Sequence, residues 1–151
     1  MRAFQRFTML SVLLVLAGCV DFGNQSLRPP DSIRGRDYAL EVTGYCACQE
    51  CCGWHRNWLF IPVTEAGHYK KIGYTASNTK AQPGTIAADT TVFPFGTIIY
   101  VPGYGYGRVE DRGGKIKGYH IDLFYESHED AQRWGHVRKY VKVWLPQDLR
   151  K

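Results

Sequence analysis

The sequence lacks three features that would each point to a particular class of protein. Its strongly apolar run near the N-terminus, TMLSVLLVLAG, is too short to span a bilayer as a stable helix. It has no block of lysine and arginine residues interleaved with aromatic residues, so no nucleic acid is expected as a partner. It has neither a long helical pattern nor an internal repeat, and this favours a β-rich fold over a helical one.

What the chain does contain is typical of a globular domain. Its 151 residues suffice for one domain and a targeting segment, and 44% hydrophobic with 22% charged residues do not indicate disorder. Sixteen glycines and 14% aromatic residues again favour a β-rich fold. The formal net charge is +5, or +3 without the two arginines near the N-terminus, and this mild charge suits a partner with scattered carboxylates, such as cell wall, as well as a plainly solvated surface.

The N-terminal segment has the features of a lipoprotein signal peptide. Arg2 and Arg6 precede the short apolar run, and this run ends in LAGC, which resembles the bacterial lipobox. In that motif the cysteine is acylated and becomes the first residue of the mature protein. We therefore predict a signal peptide over residues 1–18, lipidation at Cys19 and a lipid anchor that ties the protein to a membrane.

The lipobox also predicts where the protein resides. A lipid-anchored protein lies in the cell envelope, and because Val20 rather than aspartate follows Cys19, a cell with two membranes would place it in the outer one. Residues 19–36 are polar and contain proline and glycine, which indicates a flexible tether. A single domain is then predicted over residues 37–149.

Short β runs dominate the predicted domain. Alternating apolar and polar residues, bounded by glycine, proline and asparagine, indicate six strands. They are DYALEV from Asp37, TIAAD from Thr85, TIIYV from Thr97, GRVED from Gly107, YHIDLF from Tyr119 and YVKVWL from Tyr140. Strands this short and numerous favour a small closed barrel over a parallel α/β sheet.

A helix is predicted after the fifth of these runs. Ser127 is a suitable N-cap, and Glu129 and Asp130 follow in the first turn, where the helix dipole favours acidic side chains. Ala131 begins an apolar stripe, and Gly135 is suited to end the helix.

An aspartate lies in the middle of the fifth β run. Asp122 stands between Ile121 and Leu123, and the two-residue period of a strand puts it on one face with His120 and Phe124. Its two direct neighbours point to the other face. The pattern alone is compatible with a side chain that simply points into water and with a functional carboxyl group.

Two further aspartates end predicted strands. Asp89 closes TIAAD and Asp111 closes GRVED, shortly before Gly113 and Gly114. An aspartate in such a position is often only a turn former. The glycines permit tight turns and let the backbone approach a ligand closely, so both are candidate substrate contacts.

The region with these aspartates resembles a known family. The run TIAADTTVFPFGTIIYVPGYGYGRVEDRGGKIKGYHIDLFYES is similar to the 3D (Asp-Asp-Asp) domain of bacterial cell-wall proteins, which is named after three aspartates in this arrangement. Asp89, Asp111 and Asp122 fill the three positions, and the PFGT turn and the closing VKVWL also match. The resemblance implies a mainly β fold, a six-stranded double-psi β-barrel with one or two short helices.

The same resemblance implies an activity. The family includes membrane-bound lytic transglycosylases, which cleave peptidoglycan between N-acetylmuramic acid and N-acetylglucosamine and leave 1,6-anhydro ends, with no metal and no organic cofactor. By position, Asp122 matches the general acid, and Asp111 and Asp89 match two supporting acids. An acid that stays protonated near neutral pH requires burial or a nearby carboxylate, and the flanking Ile121 and Leu123 would supply the burial.

Two other functions stay open beside this one, and both also take peptidoglycan as the partner. A non-catalytic binding module would hold glycan in the same groove, and a hydrolytic muramidase would use water in place of the sugar's own C6 hydroxyl. Ser77, Asn78 and Lys80 lie in TASNTKAQPG, which matches a family segment, and they are candidate substrate contacts. A plain surface loop explains these three residues equally well.

Four cysteines lie within seven residues in YCACQECCGW. Cys46, Cys48, Cys51 and Cys52 are disulfide candidates, because disulfides are favoured outside the cytosol. A bridge between Cys51 and Cys52 would be strained, so Cys46 and Cys48 would each pair with one of these two. A zinc site of four thiolates and free thiols are the alternatives. The cluster also resembles a variant seen in part of the 3D family, and this resemblance implies a structural role in a loop near the groove.

Overall fold

The computed structural model describes residues 24–150. Over this range the chain forms eight strands and two short helices, preceded by one turn of 3₁₀ helix (Gln25–Leu27). In chain order these are β1 (Arg36–Tyr45), α1 (Gln49–Cys52), β2 (Trp54–Arg56), β3 (Pro62–Thr64), β4 (Thr85–Ala88), β5 (Ile98–Val101), β6 (Gly105–Asp111), β7 (His120–Phe124), α2 (His128–Trp134) and β8 (Val137–Trp144). The predicted signal peptide and Cys19 lie outside the described residues.

Six of the strands close into a barrel in the order β1-β7-β4-β6-β5-β8. The pairs β1–β7 and β4–β6 are parallel, and the remaining four pairs of neighbours are antiparallel. The strands β2 and β3 form a separate antiparallel hairpin. The predicted fold, a mainly β double-psi barrel of six strands with one or two short helices, is confirmed.

The barrel encloses one apolar core, which the alternation of each strand explains. Residues at every second position point inward, and at these positions the strands carry branched aliphatic side chains. The fully buried members include Leu40, Val42, Ile86, Ile99, Val109, Ile121, Leu123 and Val143. Since each such side chain stabilises the fold by about 1.5–3 kcal/mol when it is fully buried, this core holds the barrel strands in register.

A second, smaller cluster lies outside the barrel core. We call it the outer cluster: Tyr45, Ala87 and Phe124 are buried in it, and Cys51 and Cys52 are among the side chains that pack against it. Because these residues come from β1, β4 and β7 on the side opposite the core, the outer cluster seals part of the barrel's outer surface. It also lies next to the candidate site described below.

The helix α2 is held close to β1. The side chain of Ser127 accepts a hydrogen bond from the amide of Asp130, and Gly135 follows the last turn with a positive φ, as predicted. A Cβ atom at Gly44 would lie 2.8 Å from the carbonyl oxygen of Ala131, so only glycine permits this approach of strand and helix. The first residue of α2 is thereby fixed near the end of β1.

The part of the predicted tether that the structure describes contacts the barrel. The amide of Asn24 donates to the carbonyl of Tyr106 at 2.8 Å, and the indole of Trp144 donates to the carbonyl of Ile33 at 2.9 Å. Between residues 24 and 150 no helix is both long and apolar enough to cross a membrane.

Candidate active site

Two of the three aspartates lie in one row across the barrel sheet. Thr43 on β1 pairs with Asp122 on β7, which pairs with Ala87 on β4, which in turn pairs with Asp111 on β6. Residues directly opposite each other point to the same face of a sheet. The carboxyl groups of Asp122 and Asp111 therefore share one face, with the small side chain of Ala87 between them.

A β-bulge on β6 puts Asp111 into this row. Ile86 pairs with Val109, but the next residue of β4, Ala87, pairs with Asp111, so Glu110 is the extra residue of the bulge. In a regular ladder Ala87 would face Glu110, and Asp111 would point to the opposite side of the sheet. The bulge is thus the backbone feature that brings the second carboxyl group to the site.

The environment of Asp122 favours its protonated form. Burial raises the pKa of Asp122 from 3.8 to about 6, a hydrogen bond from the Thr43 hydroxyl at 2.8 Å opposes this rise, and the nearby charge of Asp111 adds to it. An ordinary surface aspartate is fully ionised at neutral pH. Asp122 is instead partly protonated between pH 5 and pH 7, the condition that a general acid requires.

The burial of Asp122 has a different origin from the one that the sequence suggested. Ile121 and Leu123 point into the barrel core, on the face opposite the carboxyl group. The residues of the outer cluster on β1, β4 and β7 are the ones that lie on the same face as Asp122. The prediction of a buried acid agrees with the structure, but its assignment to the two flanking residues is wrong, because neighbours along a strand face opposite sides.

The carboxylate of Asp111 is held by three donors. Its Oδ1 accepts hydrogen bonds from the amides of Ala76 at 2.8 Å and Arg112 at 2.9 Å, and its Oδ2 accepts one from the Tyr45 hydroxyl at 3.1 Å. Backbone donors do not rotate, so the carboxylate has a fixed orientation. Asp111 thereby also ties the loop that contains Ala76 to the barrel.

That loop carries two of the predicted substrate contacts. The amide of Ser77 donates to the carbonyl of Glu110 at 3.0 Å, and its hydroxyl lies 3.0 Å from the hydroxyl of Thr75. Lys80 is exposed and forms an isolated bridge with Tyr74. The loop is therefore ordered next to Asp111, and a role of Ser77 and Lys80 in binding stays a prediction.

The third aspartate, Asp89, directly follows β4 and is not part of this row. Its carboxylate accepts hydrogen bonds from the amide of Gly118 at 3.0 Å and from the hydroxyl and the amide of Thr91 at 2.7 and 3.1 Å. These donors, the Gly118 amide first, lower the pKa of Asp89 to about 2. Asp89 is therefore ionised, and it fastens the glycine-containing loop between β6 and β7 to the end of β4.

The glycine loop separates two open clefts. The larger, which we call the acid cleft, has a volume of about 600 Å³. Its lining residues are Glu50, Cys51, Cys52, Gly53, Thr64, Glu65, Ala66, Gly113, Gly114, Lys115, Ile116 and Asp122. The second cleft, of about 430 Å³, contains Asp89 and shares Gly113 and Gly114 with the first. The two predicted glycine contacts thus line the same cleft as Asp122.

Three side chains around Asp122 were not predicted from the sequence: Thr43, Tyr45 and His120. The Thr43 hydroxyl has a single hydrogen and donates it to Asp122, so its 2.9 Å bond to His120 requires a proton on Nε2 of the imidazole. Burial lowers the pKa of His120. No sequence signal identifies Thr43, because its role depends on the register of β1 against β7.

Replacing Thr43 with valine is expected to raise the pKa of Asp122 further. The hydroxyl stabilises the charged carboxylate, so without it the pKa would increase by about 1 above its present value of about 6. A ¹³C NMR titration of the side-chain carboxyl carbons measures this directly. The matched control is Thr91→Val, which should raise the pKa of Asp89 and leave that of Asp122 unchanged. An unchanged or lower Asp122 pKa in Thr43→Val would contradict the assignment.

The predicted disulfides are not formed in the structure. All four cysteines of YCACQECCGW are free thiols, and the Sγ atoms of Cys46 and Cys51 are 3.8 Å apart, whereas a disulfide requires about 2.05 Å. His128, the first residue of α2, lies against three of them. No pattern in the sequence connects a histidine so far along the chain with this cluster.

Comparison with known proteins agrees with the resemblance in the sequence. Residues 84–147 match the family model of the 3D domain. The cell wall-binding protein YocH of Bacillus subtilis (strain 168) is 44% identical over 66 residues, which are 44% of this chain and 23% of YocH. The putative cell wall shaping protein YabE of the same organism is 40% identical over 75 residues, 47% of this chain and 18% of YabE. The chain thus spans less than a quarter of the length of either relative.

Solved structures give weaker matches. The crystal structure of E. coli MltA with bound chitohexaose has 21% identity and a TM-score of 0.42, over 50% of this chain and 28% of that one. A second MltA structure, described as a unique lytic transglycosylase fold, has 22% identity and a TM-score of 0.39, over 50% of this chain and 29% of that one. The family model covers the segment that contains all three aspartates, so the resemblance to the 3D domain that the sequence predicted is confirmed over residues 84–147.

Proposed function

We propose that this protein is a lytic transglycosylase that cleaves peptidoglycan strands between N-acetylmuramic acid and N-acetylglucosamine. The observation that carries the proposal is the carboxyl group of Asp122, which lines the acid cleft with a pKa of about 6. Two relatives that match part of this chain are named for cell wall binding and cell wall shaping, which supports peptidoglycan as the substrate. A lipid on Cys19 would hold the domain at the envelope membrane, within reach of the wall.

The first step uses Asp122 as an acid. The protonated carboxyl donates its proton to the glycosidic oxygen, the bond from that oxygen to C1 of the muramic acid breaks, and the N-acetylglucosamine part leaves with the proton. Positive charge develops at C1 and the ring oxygen. The carboxylate of Asp111, two strands away in the same row, stabilises this charge without moving, because its three donors fix it.

The second step uses Asp122 as a base. Its carboxylate, now ionised, accepts the proton of the C6 hydroxyl while the C6 oxygen attacks C1, and a 1,6-anhydro ring closes. The proton that left in the first step is thus restored, and the enzyme returns to its starting state without a water molecule. Thr43 orients the Asp122 carboxyl throughout, because its hydroxyl is itself fixed by His120.

The environment of Asp111 favours this route over hydrolysis. A hydrolytic muramidase needs a second carboxylate that activates water or attacks C1. Both oxygens of Asp111 already accept hydrogen bonds from donors that hold the carboxylate in place, so it is not free to bind a water molecule or to approach C1. Asp89, with its pKa lowered to about 2, is a weak base.

A second candidate function is non-catalytic binding of peptidoglycan. The name of the relative YocH, cell wall-binding protein, favours it, because that relative is 44% identical to this chain over 66 residues. A binding module would use the two clefts and the glycine loop between them to hold glycan, and Asp122 would not need to exchange a proton.

Digestion of purified sacculi by the full chain separates these functions. We expect soluble muropeptides whose mass is lower by one water molecule than that of the reducing products, because the anhydro ring forms without hydrolysis. Reducing ends would indicate a muramidase. Retention of the protein on sacculi without any soluble product would indicate a binding module. Mass spectrometry of the supernatant together with a pull-down assay distinguishes the three results.

A further inference from the structure

The geometry points to a zinc site formed by three cysteines and one histidine, which we call the Cys₃His cluster. Its residues are Cys46, Cys48, Cys51 and His128, whose ligand atoms all lie within 4.8 Å of one another. They lie at the end of β1 and at the start of α2, outside the row that contains Asp122 and Asp111. The inference is independent of the proposed enzymatic activity.

The distances within the cluster fit one tetrahedral zinc ion. With Zn–S bonds of about 2.3 Å and a Zn–N bond of about 2.05 Å, a tetrahedron has S···S edges of about 3.8 Å and S···N edges of about 3.6 Å. The Sγ atoms of Cys46 and Cys51 are 3.8 Å apart. The Nδ1 atom of His128 lies 3.7 Å from Sγ of Cys46 and 3.4 Å from the Sγ atoms of both Cys48 and Cys51.

Two separate parts of the chain, the segment from the end of β1 to α1 and the start of α2, supply the four ligands. Cys46 directly follows β1. Cys48 is the N-cap of α1, and Cys51 lies within this helix. The Sγ atom of Cys48 accepts a hydrogen bond from the amide of Cys51 at 3.4 Å. His128 comes from α2, which packs on β1 through Gly44. A backbone N–H that points at a thiolate stabilises its negative charge, which a zinc ligand carries.

The carboxylate of Glu50 defines the tautomer of His128. Oε2 of Glu50 lies 3.3 Å from Nε2 of His128, on the side of the ring away from the thiols. A proton on Nε2 that is shared with Glu50 leaves the lone pair of Nδ1 free to bind a metal. Metal-binding histidines usually have such a carboxylate partner on the second ring nitrogen.

Zinc fits this donor set better than other common metals, and a structural role fits better than a catalytic one. Three thiolates and one imidazole in tetrahedral arrangement are typical of structural zinc, and four protein ligands leave no open position for a water molecule or substrate. Cys51 and Glu50 also line the acid cleft. The zinc ion would therefore fix the wall of the cleft that faces Asp122.

The fourth cysteine of the motif supplies a matched control. Sγ of Cys52 donates to the carbonyl of Cys46 at 3.2 Å and packs against the outer cluster, so Cys52 is not a member of the Cys₃His cluster. Cys48→Ser removes one ligand, whereas Cys52→Ser removes a neighbouring thiol of the same chemistry. His128→Cys replaces the imidazole by a fourth thiolate and is expected to keep a metal site.

The test uses the full chain, reduced and then loaded with zinc chloride or cobalt chloride. We expect one zinc ion per chain by mass spectrometric metal analysis, in Cys52→Ser and His128→Cys as well as in the parent, and loss of zinc in Cys48→Ser. Cobalt should give the intense visible absorption of a tetrahedral thiolate complex. A chelator should expose three further reactive thiols and lower the melting temperature by about 10 °C or more.

Three outcomes would overturn the inference. One is a parent chain that retains no zinc after loading and gives no cobalt spectrum. Another is that, in the chain as purified and before any reduction, a chelator leaves the thiols unreactive and only a reductant exposes them, which would establish the disulfides predicted from the sequence. The third is zinc content that Cys52→Ser reduces as strongly as Cys48→Ser. Because zinc and cobalt binding by the parent are measured directly, the result does not depend on whether every variant folds.

Discussion

Replacing Asp122 with asparagine is expected to reduce the release of muropeptides from sacculi by about 100- to 10,000-fold, the range that a positioned general acid contributes. Asparagine has no acidic proton to donate to the glycosidic oxygen, and it cannot accept the C6 proton in the second step. Release rates are measured by chromatography of soluble products over time, at the same concentration of the parent and the variant.

The variant should lose activity without losing its fold. The amide oxygen of asparagine can accept the hydrogen bond that the Thr43 hydroxyl now donates to Asp122. Burial holds the pKa of Asp122 at about 6 in the folded chain, whereas an unperturbed aspartate has a pKa of 3.8. The folded state therefore binds more protons than the unfolded state between these two pH values. As a result, the free energy of unfolding falls as the pH rises through this range. Since asparagine carries no charge, Asp122→Asn should be at least as stable as the parent at pH 8.

A matched control for this variant is Asp37→Asn. Asp37 is also a strand aspartate, but its carboxylate is exposed and pairs with Lys142 at 2.7 Å. The Asp37→Asn variant should release muropeptides at the rate of the parent. Full activity of a correctly folded Asp122→Asn chain would refute the role of Asp122 as the acid.

The rate of glycan cleavage should decrease as the pH rises through about 6. The protonated form of Asp122 starts the reaction, and its pKa of about 6 means that each further pH unit above this value leaves about tenfold less acid. At pH 8 we therefore expect kcat/KM to be about 100-fold below its value at pH 5. Initial rates on a soluble glycan substrate, measured in buffers of constant ionic strength, give this profile.

The Thr43→Val variant tests which group controls the pH dependence of kcat/KM. Its Asp122 pKa should be higher, so the decline of kcat/KM should begin at higher pH than in the parent. Thr91→Val, which changes only the surroundings of Asp89, should leave the decline where it is. A flat profile between pH 5 and pH 8, or one that Thr43→Val does not move, would assign the acid to a different group.

Much of the fold could be predicted because local signals agree with the tertiary structure. Alternating apolar residues identified the strands of the barrel, and Ser127 and Gly135 mark the two ends of α2 in the sequence as they do in the structure. The hairpin of β2 and β3 was not predicted. Its strands have three residues each, which is too short for a two-residue period to be distinguished from chance.

The site could be predicted only in part, since its geometry depends on pairing between strands. The sequence identified Asp122 as an acid in a strand, but its partner Thr43 depends on the register of β1 against β7. The bulge at Glu110, which turns Asp111 to the same face, has no distinct signature in the sequence. His128 joins the Cys₃His cluster only because α2 packs against β1, a contact that no local pattern encodes.

The most direct test of the proposed function is mass spectrometry of sacculi digested side by side at pH 5.5 by the parent chain, Asp122→Asn and Asp37→Asn. We expect 1,6-anhydro muropeptides from the parent and from Asp37→Asn, and none above background from Asp122→Asn. Products with reducing ends, or equal amounts of anhydro product from Asp122→Asn, would contradict the proposal that Asp122 drives a lytic transglycosylase reaction.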